Sequence, residues 1–374
     1  SLARDIADLG SVTSRLDTLG TSSGALSNRN LIINGAMQVN QRGSYTITTT
    51  GSPEYGGPDR FHMWSYTSTE QVVGDVTQST DVPSGNGFGY SRKFDVTTAE
   101  SAVASAEALI MAQLIEAQNL QHLEYGTSSA KDVTMSFWIK STKTGTYCFF
   151  INQEDGSRIY VKEYTVNASD TWEKKTITIE GDASGTINND GGRGFWVGWV
   201  LMAGTDRHGT ANAWRATGAD YATSNQVNAV DSTSNNIYLT GVQLEVGDTA
   251  TDFEHRTFGD ELARCQRYFQ MTNAFAHFAG RGTGTTTAVA SLPLTVPMRA
   301  SPTLTTNSIS TRGYTSAAID VSSGTPSVGS YSANDNLLSL NLTGFDNLLD
   351  DRVINFQITG SANGATGWSI DAEL

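Results

Sequence analysis

Short segments in which apolar and polar residues alternate recur along most of this chain, bounded by turn-forming residues. The clearest lies at 133–141, where one face is apolar and the opposite face is mostly polar. The apolar face carries Val133, Met135, Phe137 and Ile139, and the other carries Thr134, Ser136, Trp138 and Lys140. A period of two residues predicts a β-strand with one buried face.

The same pattern recurs between residues 59 and 247. In DRFHMWSYT, Phe61 and Met63 face one way, and the opposite face carries His62, Trp64 and Tyr66. Further strands are predicted in TYCFFINQ, IYVKEYTV, WEKKTITIEG, GFWVGWVLMAG and IYLTGVQLEVG, and NLIINGAMQVNQRG is predicted to open the series. Short strands separated by Gly, Asn, Asp and Ser turns predict an all-β protein with an antiparallel sandwich or jelly roll.

The composition agrees with this fold class and excludes some functions. Charged residues make up 17% of the 374 residues, apolar residues 38%, and there are 37 glycines. Such a composition is typical of all-β proteins. The net charge of -14 argues against a basic nucleic-acid groove. No apolar run reaches the roughly 18 residues of a membrane-spanning helix. We therefore expect neither nucleic-acid binding nor membrane insertion.

The first twenty residues have a helical pattern. A heptad seam is formed by Leu2, Ile6, Leu9, Thr13 and Leu16. We predict that residues 1–28 form a short coiled-coil helix and linker, with the four aliphatic residues of the seam at an oligomer contact. The alternative is an amphipathic helix packed on its own subunit, because the seam is under three heptads long and Gly10 weakens it.

The segment at 101–123 interrupts the strand series. It is rich in Ala, Leu, Glu and Gln, so helix propensity alone predicts a helix throughout. We expect instead a division into two elements, on the resemblance described below. ALIMAQLIE would be a strand and AQNLQHL a single helical turn.

A junction between domains is predicted at 238–269, where a strand is followed by a Gly-Asp turn, a polar linker and a short amphipathic segment. Glu245 within it is expected to bind nearby backbone or an arginine at the strand end. We predict a jelly roll at 29–256, a connector at 257–272 and a smaller C-terminal β-sandwich at 273–374. In this last region LPLTVPMRASPTLT predicts two strands around a proline-bounded bend, and VINFQITG and GWSIDAEL predict closing strands.

Four blocks of sequence resemble tail-fibre and related appendage proteins of tailed bacteriophages. They are RNLIINGAMQVNQRG with GGPDRFHMW at 29–64, VTMSFWIKSTKTGTY at 133–147, the junction at 238–270, and LPLTVPMRASPTLT at 292–305. In those proteins the junction ends a jelly roll similar to carbohydrate-binding modules. The resemblance therefore implies a carbohydrate-binding-module-like jelly roll in a virion fibre.

The resemblance also implies a function and partners. It implies a homotrimeric tail fibre, assembled in the host cytoplasm, that contacts other virion proteins at its N-terminal end. It implies host attachment by multivalent binding to cell-surface glycans. Two alternatives stay open: a head fibre or capsid decoration protein without a receptor role, and a polysaccharide depolymerase.

The sequence contains no recognisable catalytic motif. Carboxylates that could pair in a glycosidase are Asp95, Glu100, Glu107, Glu116 and Glu245, but no spacing places two of them in opposition. A GxSxG elbow and a P-loop are absent, and the five histidines show no HxH or HExxH spacing. Cys148 and Cys265 lack zinc-site neighbourhoods and are predicted to be buried free thiols. We expect no enzyme activity.

We expect no cofactor, and calcium is the one metal that the sequence leaves open. The loops at 152–157 and 187–192 are rich in oxygen ligands. Ordinary turns are the preferred interpretation of both loops, because Asn, Asp and Gly are the residues that turns require.

Aromatic residues outside the predicted core are the candidates for sugar binding. A pyranose packs its C–H face on an aromatic ring and pairs its hydroxyls with polar neighbours. The candidates are Trp64, Tyr66, Trp138, Trp214 and Tyr221. Trp196 and Trp199 lie within an apolar strand, so core packing is predicted for both.

Overall fold

The computed structural model describes most of the chain after the N-terminal segment. The described residues are 29–47, 51–66, 73–272, 277–306, 310–314, 327–333, 336–345, 348, 353–359 and 367–374. The predicted coiled coil at 1–28, with Leu2, Ile6, Leu9 and Leu16, lies outside the described residues. The chain forms two compact units, the first ending at Phe258 and the second beginning at Gly259.

The first unit contains two antiparallel sheets. One has six strands in the order β1-β4-β5-β13-β7-β10. Their bounds are β1 Tyr45–Thr46, β4 Val73–Ser79, β5 Ser91–Thr98, β7 Val133–Ser141, β10 Glu173–Ile179 and β13 Asn236–Val246. The other has seven strands in the order β12-β9-β8-β11-β6-β3-β2. Their bounds are β2 Pro53–Tyr55, β3 Phe61–Tyr66, β6 Ala108–Glu116, β8 Gly145–Gln153, β9 Arg158–Val166, β11 Arg193–Ala203 and β12 Arg215–Ala216. The chain crosses repeatedly between the sheets, as in a jelly roll.

One apolar core lies between the two sheets, and the alternating pattern supplies it. Met135 and Phe137 of β7 contribute to it from the six-stranded sheet, and Phe61 and Met63 of β3 from the seven-stranded sheet. Trp199 of β11 lies in the same core. The predicted faces of β3 and β7 are therefore confirmed.

The segment around residues 108–123 is divided as predicted. Ala108–Glu116 is a strand, and Ala117–Leu123 is a 3₁₀ helix that ends at Glu124 with a φ of 57°. All nine residues of the strand are buried, and it pairs with β3 on one side and β11 on the other. Burial between two neighbours overrides its helix propensity.

The strand predicted in NLIINGAMQVNQRG is wrong. The segment is buried but irregular, and side-chain amides bind its backbone where a neighbouring strand otherwise would. Asn34 accepts a hydrogen bond from the Val39 amide at 3.0 Å and donates to the Val39 carbonyl at 2.8 Å. Gln113 of β6 binds both the amide and the carbonyl of Ile33 at 2.9 Å.

Glu245 has the structural role predicted for it. At the end of β13 its carboxylate accepts hydrogen bonds from the Thr251 amide at 2.8 Å and the Thr251 hydroxyl at 2.6 Å. Gln243 of the same strand accepts a bond from the Glu254 amide at 2.8 Å. These bonds fold the polar linker back against the strand end, which explains the junction motif.

Among the residues that the structure describes, the second unit combines two small sheets with a helix that begins one residue before it. Helix α1 spans Phe258–Gln266. A three-stranded sheet has the order β14-β22-β17, with bounds Phe269–Met271, Ser369–Asp371 and Thr303–Thr305. A six-stranded sheet has the order β18-β21-β15-β16-β20-β19, with bounds Ser310–Tyr314, Val353–Thr359, His277–Gly282, Thr287–Pro293, Leu337–Thr343 and Ser327–Ala333. Strands are thus confirmed in 292–305, VINFQITG and GWSIDAEL, and they enclose a core that includes Phe356 and Trp368.

Two further sequence predictions are testable on the described residues. Cys148 and Cys265 are both buried free thiols, as predicted. Of the helices in the described ranges, none has both the length and the apolar character needed to cross a bilayer.

Candidate functional site

The outward side of the seven-stranded sheet carries a second layer of aromatic rings, separate from the core. We call it the aromatic face and define it by Trp64, Tyr66, Phe150, Trp196 and Tyr221. The first four alternate along β3, β8 and β11 with residues that enter the core. Tyr221 comes from the long loop after β11 and packs on Trp196 with a centroid distance of 5.1 Å.

Small residues in the middle of the sheet make room for these rings. Ala112 of β6 lies between His62 of β3 and Gly198 of β11. A Cβ atom on Gly198 would lie 2.4 Å from the Phe150 ring. A larger residue at position 198 would therefore displace that ring, and the small side chains leave a trough that the neighbouring rings fill.

The ring contacts form a continuous path across the sheet. Trp64 stacks on Tyr66 with a centroid distance of 5.6 Å and contacts Trp196 at 5.2 Å. Tyr66 stacks on Tyr221 at 6.0 Å, and Phe150 meets Trp196 edge to face at 5.1 Å. These distances lie in the range of favourable aromatic pairs.

The five rings differ in their access to solvent. Trp196 and Tyr221 are only 4% and 7% exposed, and Phe150 is completely buried. Trp64 and Tyr66 are half-buried, so part of each ring faces solvent. The buried rings therefore support a stacked Trp64–Tyr66 pair that offers apolar surface.

Unpaired polar groups also lie on the aromatic face, on the side of β8 and β11. The Asn152 side chain neighbours Trp196 across the β8–β11 ladder and donates to Glu154 at 2.9 Å. Its Oδ1 atom is buried and accepts no hydrogen bond from the described residues, and the indole N–H groups of Trp64 and Trp196 are also unpaired there. A buried polar group without a partner is costly. The aromatic face therefore has hydrogen-bonding capacity that a ligand or water can satisfy.

The segment at 204–228, which includes β12, positions the remaining groups. Arg207 donates to the Ala106 carbonyl at 2.7 Å, and its guanidinium lies 4.4 Å from the centre of the Tyr66 ring. The Tyr221 hydroxyl lies 3.4 Å from that of Tyr66. Burial, followed by this hydrogen bond, raises the pKa of Tyr221 above its ordinary value. Tyr221 therefore keeps its proton at neutral pH.

His62 lies in the same sheet face, one step from Trp64. Its ring is fully buried, 5.1 Å from the ring of Tyr55, and neither ring nitrogen has a hydrogen-bond partner among the described residues. Burial, and then the positive charges of Arg92 and Arg60, hold its pKa well below the ordinary value. His62 is therefore neutral at physiological pH.

The other two candidates lie elsewhere. Trp214 donates to the Glu180 carbonyl at 2.6 Å and meets Tyr125 and Tyr160 edge to face. It therefore fastens its loop to the edge of the core. Trp138 lies half-buried on the outward side of the six-stranded sheet, where it lines a small cavity.

The loops considered for calcium are held by hydrogen bonds of their own. Asp155 accepts bonds from the backbone amide and the side-chain amide of Asn188, at 3.0 and 2.8 Å. Asp190 accepts a bond from the Gly192 amide at 2.8 Å. Across the described ranges, no group of three His, Cys, Asp or Glu side chains is placed to hold a metal ion.

Most of the candidate catalytic carboxylates also have structural partners. Glu100 accepts a bond from the Ala102 amide and Glu107 one from the Ala104 amide, at 2.7 and 2.8 Å. Asp95 pairs with Lys93 at 2.9 Å. These carboxylates hold turns or pair along a strand.

Comparison with known proteins gives neither a family nor a curated relative. No protein-family model matches the chain, and no curated protein matches it. Several solved structures show a distant similarity.

One is the enzymatically active domain of tailspike protein 4 of bacteriophage CBA120, with 13% identity and a TM-score of 0.31. It covers 58% of this chain, and this chain covers 21% of it. A second is the module TmCBM61 in complex with β-1,4-galactotriose, with 11% identity, a TM-score of 0.30, and coverage of 59% of this chain and 99% of the module. A third is a family 11 carbohydrate-binding module of Clostridium thermocellum in complex with a mixed-linked tetrasaccharide, with 14% identity, a TM-score of 0.27, and coverage of 56% and 98%. Since these TM-scores are low, we base the function on the residues of the site itself.

Sequence reasoning missed Phe150, Trp196 and Asn152 as parts of the site. Trp196 was predicted to lie in the core, and it is buried, but it faces away from the core. The spacing holds the missing signal, because residues 196 and 199 of one strand are separated by an odd number and therefore point to opposite sides.

Proposed function

We propose that this chain is a structural fibre protein of a bacteriophage virion that attaches to host-surface glycans through the aromatic face. The observation that carries the proposal is the half-buried Trp64–Tyr66 stack on a sheet face that also carries the unpaired Asn152 Oδ1 next to Trp196. The C–H face of a pyranose packs on such rings, and its hydroxyls bond to the amide, carboxylate and guanidinium groups around them. The resemblance of four sequence blocks to tail-fibre proteins supports the virion role.

We further propose that the protein forms a homotrimer that is anchored to other virion proteins through its N-terminal end. A single half-buried aromatic pair binds one short saccharide weakly, and three copies in one fibre raise the avidity. Light scattering on the purified chain is expected to give a mass of three chains. A monomeric mass would contradict the multivalent mechanism and leave a single binding module.

We also propose that the chain binds glycans without cleaving them. Hydrolysis requires two opposed carboxylates, whereas Glu100, Glu107 and Glu245 are engaged in turns next to their own strands. Incubation with bacterial capsule or lipopolysaccharide is expected to release no reducing ends. Release of reducing ends would favour the depolymerase alternative.

Glycan binding is tested with Trp64→Ala. The wild-type chain is first screened on an array of bacterial surface oligosaccharides, and the strongest binder is titrated calorimetrically. Loss of a stacking ring is expected to weaken binding about two- to tenfold, in line with the energies of aromatic contacts. The control is Trp172→Ala, because Trp172 is a half-buried tryptophan just before β10 of the other sheet and donates a hydrogen bond to Asp81 at 2.9 Å. Equal affinities of wild type and Trp64→Ala, or no binder on the array, would contradict the proposal.

A further inference from the structure

A cavity lies on the side of the sandwich opposite the aromatic face, outside the six-stranded sheet. It has a volume of about 230 Å³. Its floor is Trp138 and Ser136 of β7, and its walls come from the loop before β5, from β10 and from the linker after β13. We call it the Trp138 cavity.

A β-bulge shapes this cavity. The pairing of β13 with β7 shifts register between Thr240 and Gln243, and Gly241 within the bulge has a φ of 60°. A Cβ atom on Gly241 would lie 2.6 Å from the Phe88 ring and 2.9 Å from the Trp138 ring. Glycine therefore meets two demands here, the left-handed backbone and the close seating of two rings.

Aromatic rings close one wall of the cavity. Phe88 meets Phe253 edge to face with a centroid distance of 5.0 Å, and His255 lies 4.9 Å from Phe253 and 5.3 Å from Phe88. Gly87 has a φ of 75°, and a Cβ atom there would lie 3.2 Å from His255 Nε2. These contacts hold the linker against the loop, so the wall is formed without a ligand.

Polar groups without partners surround the Trp138 ring. Among the described residues, none makes a hydrogen bond or ion pair with the Ser136 hydroxyl, the Lys174 ammonium or the Asp252 carboxylate. Ser136 is only 3% exposed, so water reaches its hydroxyl mainly through the cavity. Lys174 lies directly across the ladder from Trp138. The cavity thus combines one aromatic face with a hydroxyl, a cation and an anion.

We propose that the Trp138 cavity is a second saccharide site, which takes one neutral hexopyranose ring. The occupant is limited to a single ring, because the cavity volume is below the roughly 300–1,000 Å³ of pockets that hold drug-sized ligands. The sugar's C–H face lies on Trp138, and its hydroxyls donate to Asp252 and accept from Lys174. One cation and one anion leave no excess of either sign, which selects a neutral sugar over an acidic one.

Two binding sites on opposite sides of one sandwich would make each subunit bivalent. A module with both can hold two glycan chains at once, so each subunit contributes two contacts to a dense surface polysaccharide. This inference does not require the aromatic face to bind glycan, since the two sites share no residue.

The test uses the full chain labelled with 5-fluorotryptophan, and its seven tryptophans are expected to give up to seven ¹⁹F resonances. Trp138→Phe and Trp64→Phe assign the two resonances of interest. The probes are the methyl glycosides of glucose, galactose and N-acetylglucosamine, added individually. We expect at least one to shift the Trp138 resonance and to saturate in the millimolar range.

Two variants connect the shift to the cavity. Asp252→Asn and Lys174→Met change exposed side chains and are each expected to weaken the sugar about fivefold. Asp248→Asn, in the same linker but outside the cavity, is expected to bind as wild type does. No movement of the Trp138 resonance with any probe, or unchanged affinity in both variants, would overturn the second site. A shift of Trp64 alone would overturn it while leaving the aromatic face intact.

Discussion

The tryptophans on the two outward faces of the sandwich have different surroundings. On the seven-stranded sheet, Trp64 is one ring of a layer that includes the buried Trp196 and Phe150. On the six-stranded sheet, Trp138 stands beside a bulge and is bordered by unpaired polar groups. An outward-facing aromatic residue can therefore belong either to a second apolar layer or to a discrete cavity. The neighbouring strands decide which.

This contrast predicts a large difference in stability between two tryptophan truncations. Trp196→Ala removes a 4% exposed ring that contacts Trp64, Phe150 and Tyr221. We expect it to lower the free energy of unfolding of the first unit by about 3 kcal/mol or more. Trp138→Ala removes a half-buried ring and is expected to cost about 1 kcal/mol. Urea unfolding followed by circular dichroism measures both, and equal losses would show that the aromatic face is not a packed layer.

The next largest expected loss of stability comes from a substitution in the bulge beside the Trp138 cavity. Gly241→Ala places a side chain at a φ of 60° and into contact with Phe88 and Trp138. We expect a loss of about 2 kcal/mol together with a changed Trp138 ¹⁹F resonance. Gly89→Ala is the matched control, since no atom would lie within 4 Å of the added Cβ. A stable Gly241→Ala variant with an unchanged Trp138 resonance would show that the bulge does not position this ring.

His62 is expected to make the free energy of unfolding of the first unit depend on pH. The unfolded chain binds a proton at His62 below about pH 6.5, whereas burial lowers the pKa of the folded side chain far below that value. Stability is therefore present above pH 6.5 and falls as the pH drops below it, by up to about 1.4 kcal/mol per pH unit for one proton.

The measurement is the unfolding free energy of the first unit at several values between pH 7 and pH 5. His62→Leu is expected to flatten the dependence by the contribution of one proton, without loss of stability at pH 7, because neither ring nitrogen has a partner among the described residues. The control His255→Gln changes an exposed histidine of the same unit and is expected to change the slope less than His62→Leu does. The same slope in His62→Leu and wild type would contradict the burial argument.

Much of the fold could be predicted from local patterns. The faces of β3 and β7 follow from alternation, and Glu245 follows from its place at a strand end before a turn. The division at 108–123 required the family resemblance, because propensity alone predicts a helix there. The irregular segment at 30–42 could not be predicted, because Gln113 binds its backbone from a strand that is remote in sequence.

The site was predicted only in part, for a physical reason. Alternation identifies which strand rings leave the core, and this brought Trp64, Tyr66 and Trp138 forward as candidates, whereas Trp214 and Tyr221 were candidates because they lie in a long loop. Whether such rings meet depends on residues in neighbouring strands, such as Ala112 and Gly198, and on the register that aligns them. Loop aromatics are less predictable still, since Tyr221 joins the aromatic face whereas Trp214, seven residues earlier in the same loop, packs on the core edge.

The central claim is that the aromatic face binds glycan through the Trp64–Tyr66 stack. The most direct measurement is the ¹⁹F spectrum of the 5-fluorotryptophan-labelled chain during titration with the strongest oligosaccharide from the array. The account predicts that the Trp64 resonance shifts and the Trp196 resonance responds, while the resonances of the core residues Trp199 and Trp368 stay in place. A saturating titration that leaves Trp64 unmoved would contradict it.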